Sequence, residues 1–172
     1  MMNAVSRDLP QIFEPNAENA RALRDAFGKF ATGVAVVTCD SDQGPLAITV
    51  NSFSSISMEP ALVMWAAGVS SRRYPAFAAA EHYAVHILGA DQKHLCDAFV
   101  KDGFALNTLP HDLNAQKVPL LQGCLARFEC RKWSVQDAGD HAILLGEVLR
   151  VSALSGDALT FFGGKFAQIA QA

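Results

Sequence analysis

Three apolar runs that lie close together in the chain constrain its fold more than any other feature. They occupy residues 34–38, 45–50 and 61–65. Their Val, Ile and Thr side chains are stiff and pack well on a pleated surface. A polar cluster at 40–44 separates the first two runs and is typical of a turn. The stretch 30–65 therefore predicts three consecutive β-strands.

A polar insert, TVNSFSSIS, separates the second run from the third. Its small hydroxyl and amide side chains belong to Thr49, Asn51, Ser52, Ser54, Ser55 and Ser57. Such a segment can direct several N–H and O–H donors at an anion, or at the polar edge of a ring, without carrying net charge. Composition alone leaves an ordinary serine-rich loop as an open alternative.

The length and charge of the chain narrow its class. A chain of 172 residues can bury one core, so we expect a single domain at 15–172, preceded by a flexible or partner-wrapping arm at 1–14. No apolar run is long enough for a membrane span, and a net charge of −3 without Lys/Arg clusters argues against nucleic-acid binding. The N-terminus lacks the apolar core of a signal peptide, which predicts a cytoplasmic protein.

Neither the cysteines nor the histidines have the spacing of a metal site or a disulfide. Cys124 and Cys130 would lie roughly 20 Å apart on one strand, beyond disulfide reach. His82 and His86 would lie about 13 Å apart on a strand face, too far for simple chelation. We expect four buried thiols and no zinc site.

The rest of the chain reads as more strands with helices at the margins. Arg127, Glu129 and Arg131 alternate with apolar neighbours, as in a half-buried antiparallel strand. Other predicted elements are a helix of about 14 residues from Pro15, helical turns at 72–80 and 91–100, an irregular surface excursion at 101–122, a hairpin turn at 137–140, and strands at 83–87, 141–154 and 158–162. Together they predict a small antiparallel barrel.

One histidine stands out as a candidate functional residue. The chain has no G-x-S-x-G elbow, P-loop, G-x-G-x-x-G after a strand or H-E-x-x-H motif. His141 follows Gly139-Asp140 at the mouth of the predicted hairpin, where an imidazole can donate, accept or stabilise charge near neutral pH. An ordinary turn histidine is the open alternative.

Seven motifs, in order, resemble one family. They are FGKFATGVAVVT, TVNSFSSISMEPALVMW, SSRRYPAF, LGADQKHLCDAFV, VPLLQGCLARFECR, GDHAILLGEV and FFGGKF, which together extend from about residue 24 to 166. The chain resembles the short-chain flavin-reductase-like family, which includes reductase components of two-component flavin-dependent monooxygenases. The resemblance implies a mainly β fold, a six-stranded antiparallel FMN-binding split barrel of Greek-key type with peripheral α-helices. It also implies a homodimer with flavin near the subunit interface.

The resemblance also implies roles for individual residues. His141 matches the family's G-D-H motif and would lie near the flavin and the nicotinamide. The implied cofactor-binding residues are Thr32, Gly33, Val34 and Val36 along the isoalloxazine, Thr49, Val50, Asn51 and Ser52 at its polar edge, Ser54, Ser55 and Ser57 toward the ribityl chain or phosphate, Ser70, Ser71 and Arg72 at the phosphate, and Phe166 as an aromatic face where the family often has Tyr.

The implied activity is that of an NAD(P)H-dependent flavin reductase. Hydride would pass from NADH or NADPH to N5 of FMN or FAD, and the reduced flavin would supply a separate monooxygenase. Departures from the family pattern at Ala35, Ala47 and Ala61 leave the choices of flavin and nicotinamide open. Two alternatives also stay open: a flavoprotein whose tightly held FMN passes electrons to a protein or organic substrate, and a non-catalytic flavin-binding module.

Overall fold

The computed structural model describes residues 12–169, and β-strand is the predominant regular structure in that range. Its strands are β1 (Thr32–Gly33), β2 (Ala35–Ser41), β3 (Gly44–Val50), β4 (Ser54–Met58), β5 (Ala61–Gly68), β6 (His82–Ile87), β7 (Asp112–Leu113), β8 (Pro119–Leu120), β9 (Ala126–Ala138), β10 (His141–Ala153), β11 (Ala158–Phe162) and β12 (Lys165–Ile169). The predicted arm at 1–14 lies mostly outside the described residues.

A central antiparallel sheet has the strand order β3-β2-β6-β9-β10-β5-β4, and a smaller sheet has the order β1-β11-β12. The expected mainly β, antiparallel fold is confirmed. The central sheet has seven strands where the resemblance implied six, because part of the serine-rich insert pairs with β5 as edge strand β4. Much of the insert is therefore a strand and not a loop.

Three short helices lie at the margins: α1 (Ala20–Phe27), α2 (Tyr74–Ala79) and α3 (Lys93–Lys101). Single 3₁₀ turns occupy Ala90–Gln92 and Ala105–Asn107. α1 is shorter than predicted, because the Asn16 Oδ1 atom accepts the backbone N–H groups of Glu18 and Asn19 at 2.9 and 3.1 Å. This side-chain turn competes with helical hydrogen bonding, so the helix begins only at Ala20.

Both faces of β2 are buried, each in a different core. Ala35, Val37 and Cys39 point into the barrel, where Trp65 packs edge-on against Phe77 and Tyr83 at ring-centroid distances of 5.2 and 5.9 Å. Residues on the opposite face of the strand pack beneath α3 in a second core. A strand covered on both sides reads as a continuous apolar run, as this one does.

The long β9–β10 hairpin is the predicted hairpin, and its turn is confirmed by the pairing of His141 with Ala138. Gly146 lies where the hairpin crosses the barrel core, and a Cβ there would overlap the Tyr83 hydroxyl. Glycine therefore allows the tyrosine ring to pack against the β10 backbone.

The prediction of a surface excursion at 101–122 is wrong for part of that segment. Val118, Leu120 and Leu121 are buried, and the Thr38 hydroxyl donates to the Pro119 carbonyl. The segment covers the outer face of the central sheet because that face carries apolar residues of β2 and β6. Two prolines exclude long helices there without excluding burial.

The thiol prediction is confirmed, since all four cysteines are free and buried. Across residues 12–169, no three His, Cys, Asp or Glu side chains come together in a way that could hold a metal ion. None of the helices in that range has both the length and the apolar character needed to span a bilayer.

Candidate functional site

His141 begins β10 and lies at the exposed tip of the hairpin. Its Nδ1 atom is 2.7 Å from Asp140 Oδ1, and the hydrogen bond and charge of this imidazole lower the pKa of the Asp140 carboxyl. A carboxylate only accepts, so Nδ1 carries the proton in this contact, and Nε2 has no hydrogen-bond partner among residues 12–169. The imidazole can therefore offer Nε2 to a ligand.

Gly68, at the end of β5, pairs with His141. A Cβ on Gly68 would lie 3.7 Å from His141 Nε2, and the N–H of Val69 donates to the Asp140 carbonyl at 3.0 Å. The glycine leaves open space beside the ring. The hairpin tip and the end of β5 thus form one rigid surface on which one face of the imidazole is unhindered. We call this surface, formed by Gly68, Asp140 and His141, the His141 ledge.

Ser52 connects the segment after β3 to β5. Its hydroxyl accepts the N–H of Ala66 at 2.9 Å and lies 3.1 Å from the carbonyl of the same residue, to which it donates. This contact brings the two sides of the central sheet together. It also holds the segment that carries the exposed Asn51 against β5 at Ala66, two residues before Gly68, which pairs with His141.

The remaining serines of the insert belong to edge strand β4. Ser54 and Ser55 are exposed, whereas the Ser57 hydroxyl accepts the Glu59 N–H at 3.2 Å and supports the turn to β5. An edge strand has backbone groups without a strand partner on one side. Ser54 and Ser55 are therefore the two serines of β4 whose side chains are open to a ligand.

The Thr32 to Val36 segment fits its predicted role only in part. The side chains of Val34 and Val36 are 3% and 0% exposed in the second core, so a ligand could meet only their main-chain groups. The Val36 carbonyl already accepts from His86 Nδ1 at 3.1 Å. By contrast, Thr32 Oγ1 is buried without a hydrogen-bond partner, and Gly33 is exposed.

Thr49 and Val50 close β3 and are mostly engaged within the fold. The Thr49 hydroxyl donates to the Cys96 carbonyl of α3 at 3.3 Å, and the Val50 side chain belongs to the barrel core. The buried side chain of Val50, like that of Val36, is therefore not open to a ligand.

Phe166 lies on β12 in the smaller sheet. Its ring packs edge-on against Phe161 at a centroid distance of 5.2 Å, and Lys93 Nζ is 4.9 Å from the Phe166 centroid. Phe161 in turn pairs with Thr32. The predicted residues Thr32 and Phe166 therefore belong to one group on the smaller sheet, while His141 lies on the central sheet and Ser52 contacts that sheet through Ala66.

Ser70, Ser71 and Arg72 form the loop between β5 and α2. The Ser71 N–H donates to the Gly68 carbonyl at 3.0 Å, which holds the loop close to the His141 ledge. Arg72 is exposed, and its guanidinium makes no hydrogen bond or ion pair within the described part of the chain. This loop is the most basic element beside the ledge and can bind a phosphate.

Arg73 was not predicted from the sequence and has a separate role. Its Nη1 and Nη2 atoms donate to the carbonyls of Phe99 and Val100 at the end of α3, at 2.5 and 3.4 Å. Partial burial lowers the pKa of its guanidinium, and the nearby Asp102 carboxylate opposes that shift. No signal in the adjacent arginine pair tells which one caps a helix and which one stays free.

His86 is a second residue that sequence reasoning did not place. Nδ1 donates to Val36 and Nε2 accepts the Leu121 N–H at 3.1 Å, an arrangement that fixes one neutral tautomer. Full burial lowers the pKa of His86 to about 3. The residue joins β2 to the covering segment and is a structural histidine.

The donor set suits a flavin better than a hydrolytic substrate. Burial raises the pKa of Cys39 and Cys130 to about 12, so these thiols are not available as nucleophiles. The groups that remain are a buried hydroxyl without a hydrogen-bond partner at Thr32 and three exposed groups: the amide of Asn51, the cation of Arg72 and the aromatic ring of Phe166. Polar donors without a nucleophile can hold a ring and a phosphate and leave the chemistry to the bound group.

Comparisons with known proteins agree with this arrangement. Residues 27–170 match the family model described as flavin reductase like domain. An FMN reductase (NADH), SmoA, from Agrobacterium fabrum is 45% identical over 171 residues, covering 99% of this chain and 98% of the relative. The reductase component of a flavin-dependent trigonelline monooxygenase from Acinetobacter baylyi is 41% identical over 150 residues; the match covers 85% of this chain and 48% of that protein.

A solved structure gives the same result at the level of the fold. The NADH:FAD oxidoreductase SgcE6 of Streptomyces globisporus, in complex with NAD and FAD fragments, superposes with a TM-score of 0.84 at 31% identity, covering 92% of this chain and 98% of that chain. The family match covers all strands from β1 to β12 and every candidate residue. The chain therefore belongs to the flavin-reductase-like family.

Proposed function

We propose that the protein is an NAD(P)H:flavin oxidoreductase, acting on FMN or FAD with NADH or NADPH as co-substrate. The observation that carries the proposal is the exposed His141 imidazole, with a free Nε2 beside Gly68, in a chain that matches an FMN reductase (NADH) along its whole length. When bound, the flavin supplies the hydride acceptor. Hydride moves with its electron pair from the nicotinamide, which is oxidised, to the flavin, which is reduced, so no protein acid or base is obligatory.

In this proposal the chain's residues bind and orient. Asn51, Ser54 and Ser55 donate to the polar edge and side chain of the flavin, and the loop at Ser70–Arg72 holds the phosphate. Main-chain groups of 32–36, 49 and 50, together with Phe166, contact the ring. Ser52 and Ser57 act indirectly, since their hydroxyls maintain β5 and the turn after β4. His141 Nε2 orients the nicotinamide carboxamide or stabilises charge on the reduced flavin.

We also propose that residues 15–172 form one domain that acts as a homodimer. β10 extends beyond its last partner in β5, and the apolar side chains of Leu149, Val151 and Leu154 on and after this extension are 52%, 54% and 60% exposed. A second copy would bury them. Sedimentation should give a dimer for the wild type and a monomer for Leu149→Glu/Val151→Glu, with Leu113→Glu as the exposed apolar control. A monomeric wild type would overturn the dimer.

A monooxygenase that takes the reduced flavin is the proposed partner, because several relatives are reductase components of such two-component enzymes. A cytoplasmic location is the matching proposal, and the four free thiols support it because reducing compartments keep thiols free.

Oxidation of NADH and NADPH at 340 nm, without oxygen and with FMN, FAD or riboflavin added in turn, tests the activity. We expect turnover that depends on added flavin. Flavin that stays bound through gel filtration and reoxidises only with a protein or organic acceptor would contradict the diffusible-flavin activity. Absence of NADH or NADPH oxidation with every combination of nicotinamide and flavin would contradict the proposed oxidoreductase activity.

A further inference from the structure

A groove of about 1080 Å³ opens beside Ser70, Ser71 and Arg72, between the β2–β3 turn, α2 and the end of α3. We infer that this groove binds the adenosine 5′-phosphate end of a dinucleotide. The inference rests on the proposed function, because FAD and NADH both carry that group. It extends the proposed phosphate loop into a site for the part of the ligand that does not react.

The charges of the groove match a nucleoside phosphate. Arg72 and Lys101 are exposed cations without a hydrogen-bond or ion-pair partner among residues 12–169, and both line the groove. Asp40 and Asp42 are exposed carboxylates that line it as well. Cations can bind the phosphate and carboxylates can accept from the ribose hydroxyls. The same carboxylates oppose the additional 2′-phosphate of NADPH, which favours NADH.

The wall formed by α2 suits a flat ring. Phe77 points into the barrel core and is fully buried, which leaves Ala76 and Ala79 on the groove side together with Pro75. These small side chains form a flat apolar surface. Phe104, in the segment after α3, lines the same groove. Purine rings pack on such surfaces, because binding pockets combine apolar walls with a few polar groups.

The floor of the groove is held rigid by Arg73. A Cβ on Gly103 would lie 2.6 Å from Arg73 Nε, so only glycine allows the arginine to cross beneath it. The guanidinium reaches the Phe99 carbonyl, and the Gly103 carbonyl accepts the Ala47 N–H at 2.8 Å. These contacts hold the loop, α3 and β3 together. The groove is therefore already formed before a ligand binds.

The groove also lies within reach of the proposed reaction site. Ser70 follows Gly68 by two residues, at most about 8 Å of chain, and Gly68 pairs with His141. A dinucleotide can therefore place its reacting ring beside His141 and its adenosine end in the groove.

The test compares each dinucleotide with its truncated form. Reduced nicotinamide mononucleotide lacks the adenosine half of NADH, and FMN lacks that of FAD. The variants are Lys101→Ala, Asp42→Asn and Ala79→Trp, none of which alters a residue assigned to the flavin site; Lys29→Ala removes an exposed cation outside the groove. Initial rates are measured with NADH and the mononucleotide on FMN, and then with FMN and FAD at fixed NADH.

We expect the groove variants to lower kcat/KM for one dinucleotide by about five- to tenfold, while the truncated form changes less than twofold. A selective loss with NADH assigns the groove to the nicotinamide dinucleotide, and a selective loss with FAD assigns it to the flavin. Equal losses for whole and truncated substrates, or no loss in either comparison, would overturn the inference.

A direct measurement separates this inference from the proposed function. Adenosine 5′-monophosphate should bind the wild type in a calorimetric titration and bind Ala79→Trp at least about fivefold more weakly. Binding that is the same in both proteins, or absent from the wild type, would overturn the groove assignment. If the protein reduces flavin but adenosine 5′-monophosphate does not bind it in this titration, the proposed function stands and the groove assignment is wrong.

Discussion

The Ser52 hydroxyl and the backbone of Ala66 form a two-way contact, in which one oxygen accepts the N–H at 2.9 Å and donates to the carbonyl at 3.1 Å. Ser52 follows β3, while Ala66 lies in β5 on the far side of the sheet order. A serine predicted as a ligand contact is therefore also a structural closure of the barrel.

Ser52→Ala should lower the free energy of unfolding by about 1–3 kcal/mol, because two partly buried backbone groups lose their partner. The measurement is urea unfolding followed by tryptophan fluorescence. Ser55→Ala is the matched control, since that hydroxyl is exposed on β4 and makes no hydrogen bond to another residue at 12–169. Equal stability of the two variants would show that the Ser52 contact contributes nothing.

His86 should make the fold sensitive to acid. Burial lowers its pKa from 6.5 to about 3, so the unfolded chain binds a proton that the folded chain does not bind between those values. The stability that His86 contributes is complete above about pH 6.5 and falls with decreasing pH by up to about 1.4 kcal/mol per pH unit.

Unfolding free energies of the wild type and His86→Gln, measured from pH 4 to 7.5, check this prediction. The variant should be less stable at pH 7.5 and should show a shallower slope, whereas the exposed His94→Gln should follow the wild type. Parallel slopes for His86→Gln and the wild type would contradict the assignment.

His141→Ala should reduce flavin-dependent NADH oxidation by about tenfold or more, because an unoriented nicotinamide seldom reaches the reactive geometry. Flavin affinity and unfolding free energy should change little, since the imidazole is exposed and its hydrogen bond is to the neighbouring Asp140. Asp140→Asn should give a smaller loss through a less well-oriented ring. Unchanged turnover in His141→Ala would eliminate its proposed role.

Substitution of Arg73 should lower the stability of the fold, whereas substitution of Arg72 should weaken flavin binding. Arg73→Ala removes a guanidinium from the last carbonyls of α3 and should lower the free energy of unfolding by about 1–3 kcal/mol. Arg72→Ala should stay within about 0.5 kcal/mol of the wild type but bind FMN more weakly. Unfolding curves and quenching of flavin fluorescence distinguish the two. A destabilised Arg72→Ala with unaltered flavin binding would reverse the assignment.

Much of the fold could be predicted because its signals are local. Alternation around Phe128 marked β9, the Asp137–Asp140 turn marked the hairpin, and motif order identified the family. The length of α1 and the burial of Val118–Leu121 could not be predicted in this way. The length of α1 depends on a side-chain turn at Asn16. The burial of Val118–Leu121 depends on which face of the central sheet is apolar and is covered by this segment.

The sequence by itself determined the strand pattern, the family and the set of polar residues from which a flavin site can be built. Only the tertiary structure decided which members of that set are available. Ser52 is engaged by Ala66, the Val36 side chain is buried beneath α3, and Arg73 rather than Arg72 caps a helix. Periodicity and turn chemistry act over a few residues, whereas the availability of a hydroxyl or a guanidinium depends on contacts between segments distant in the chain.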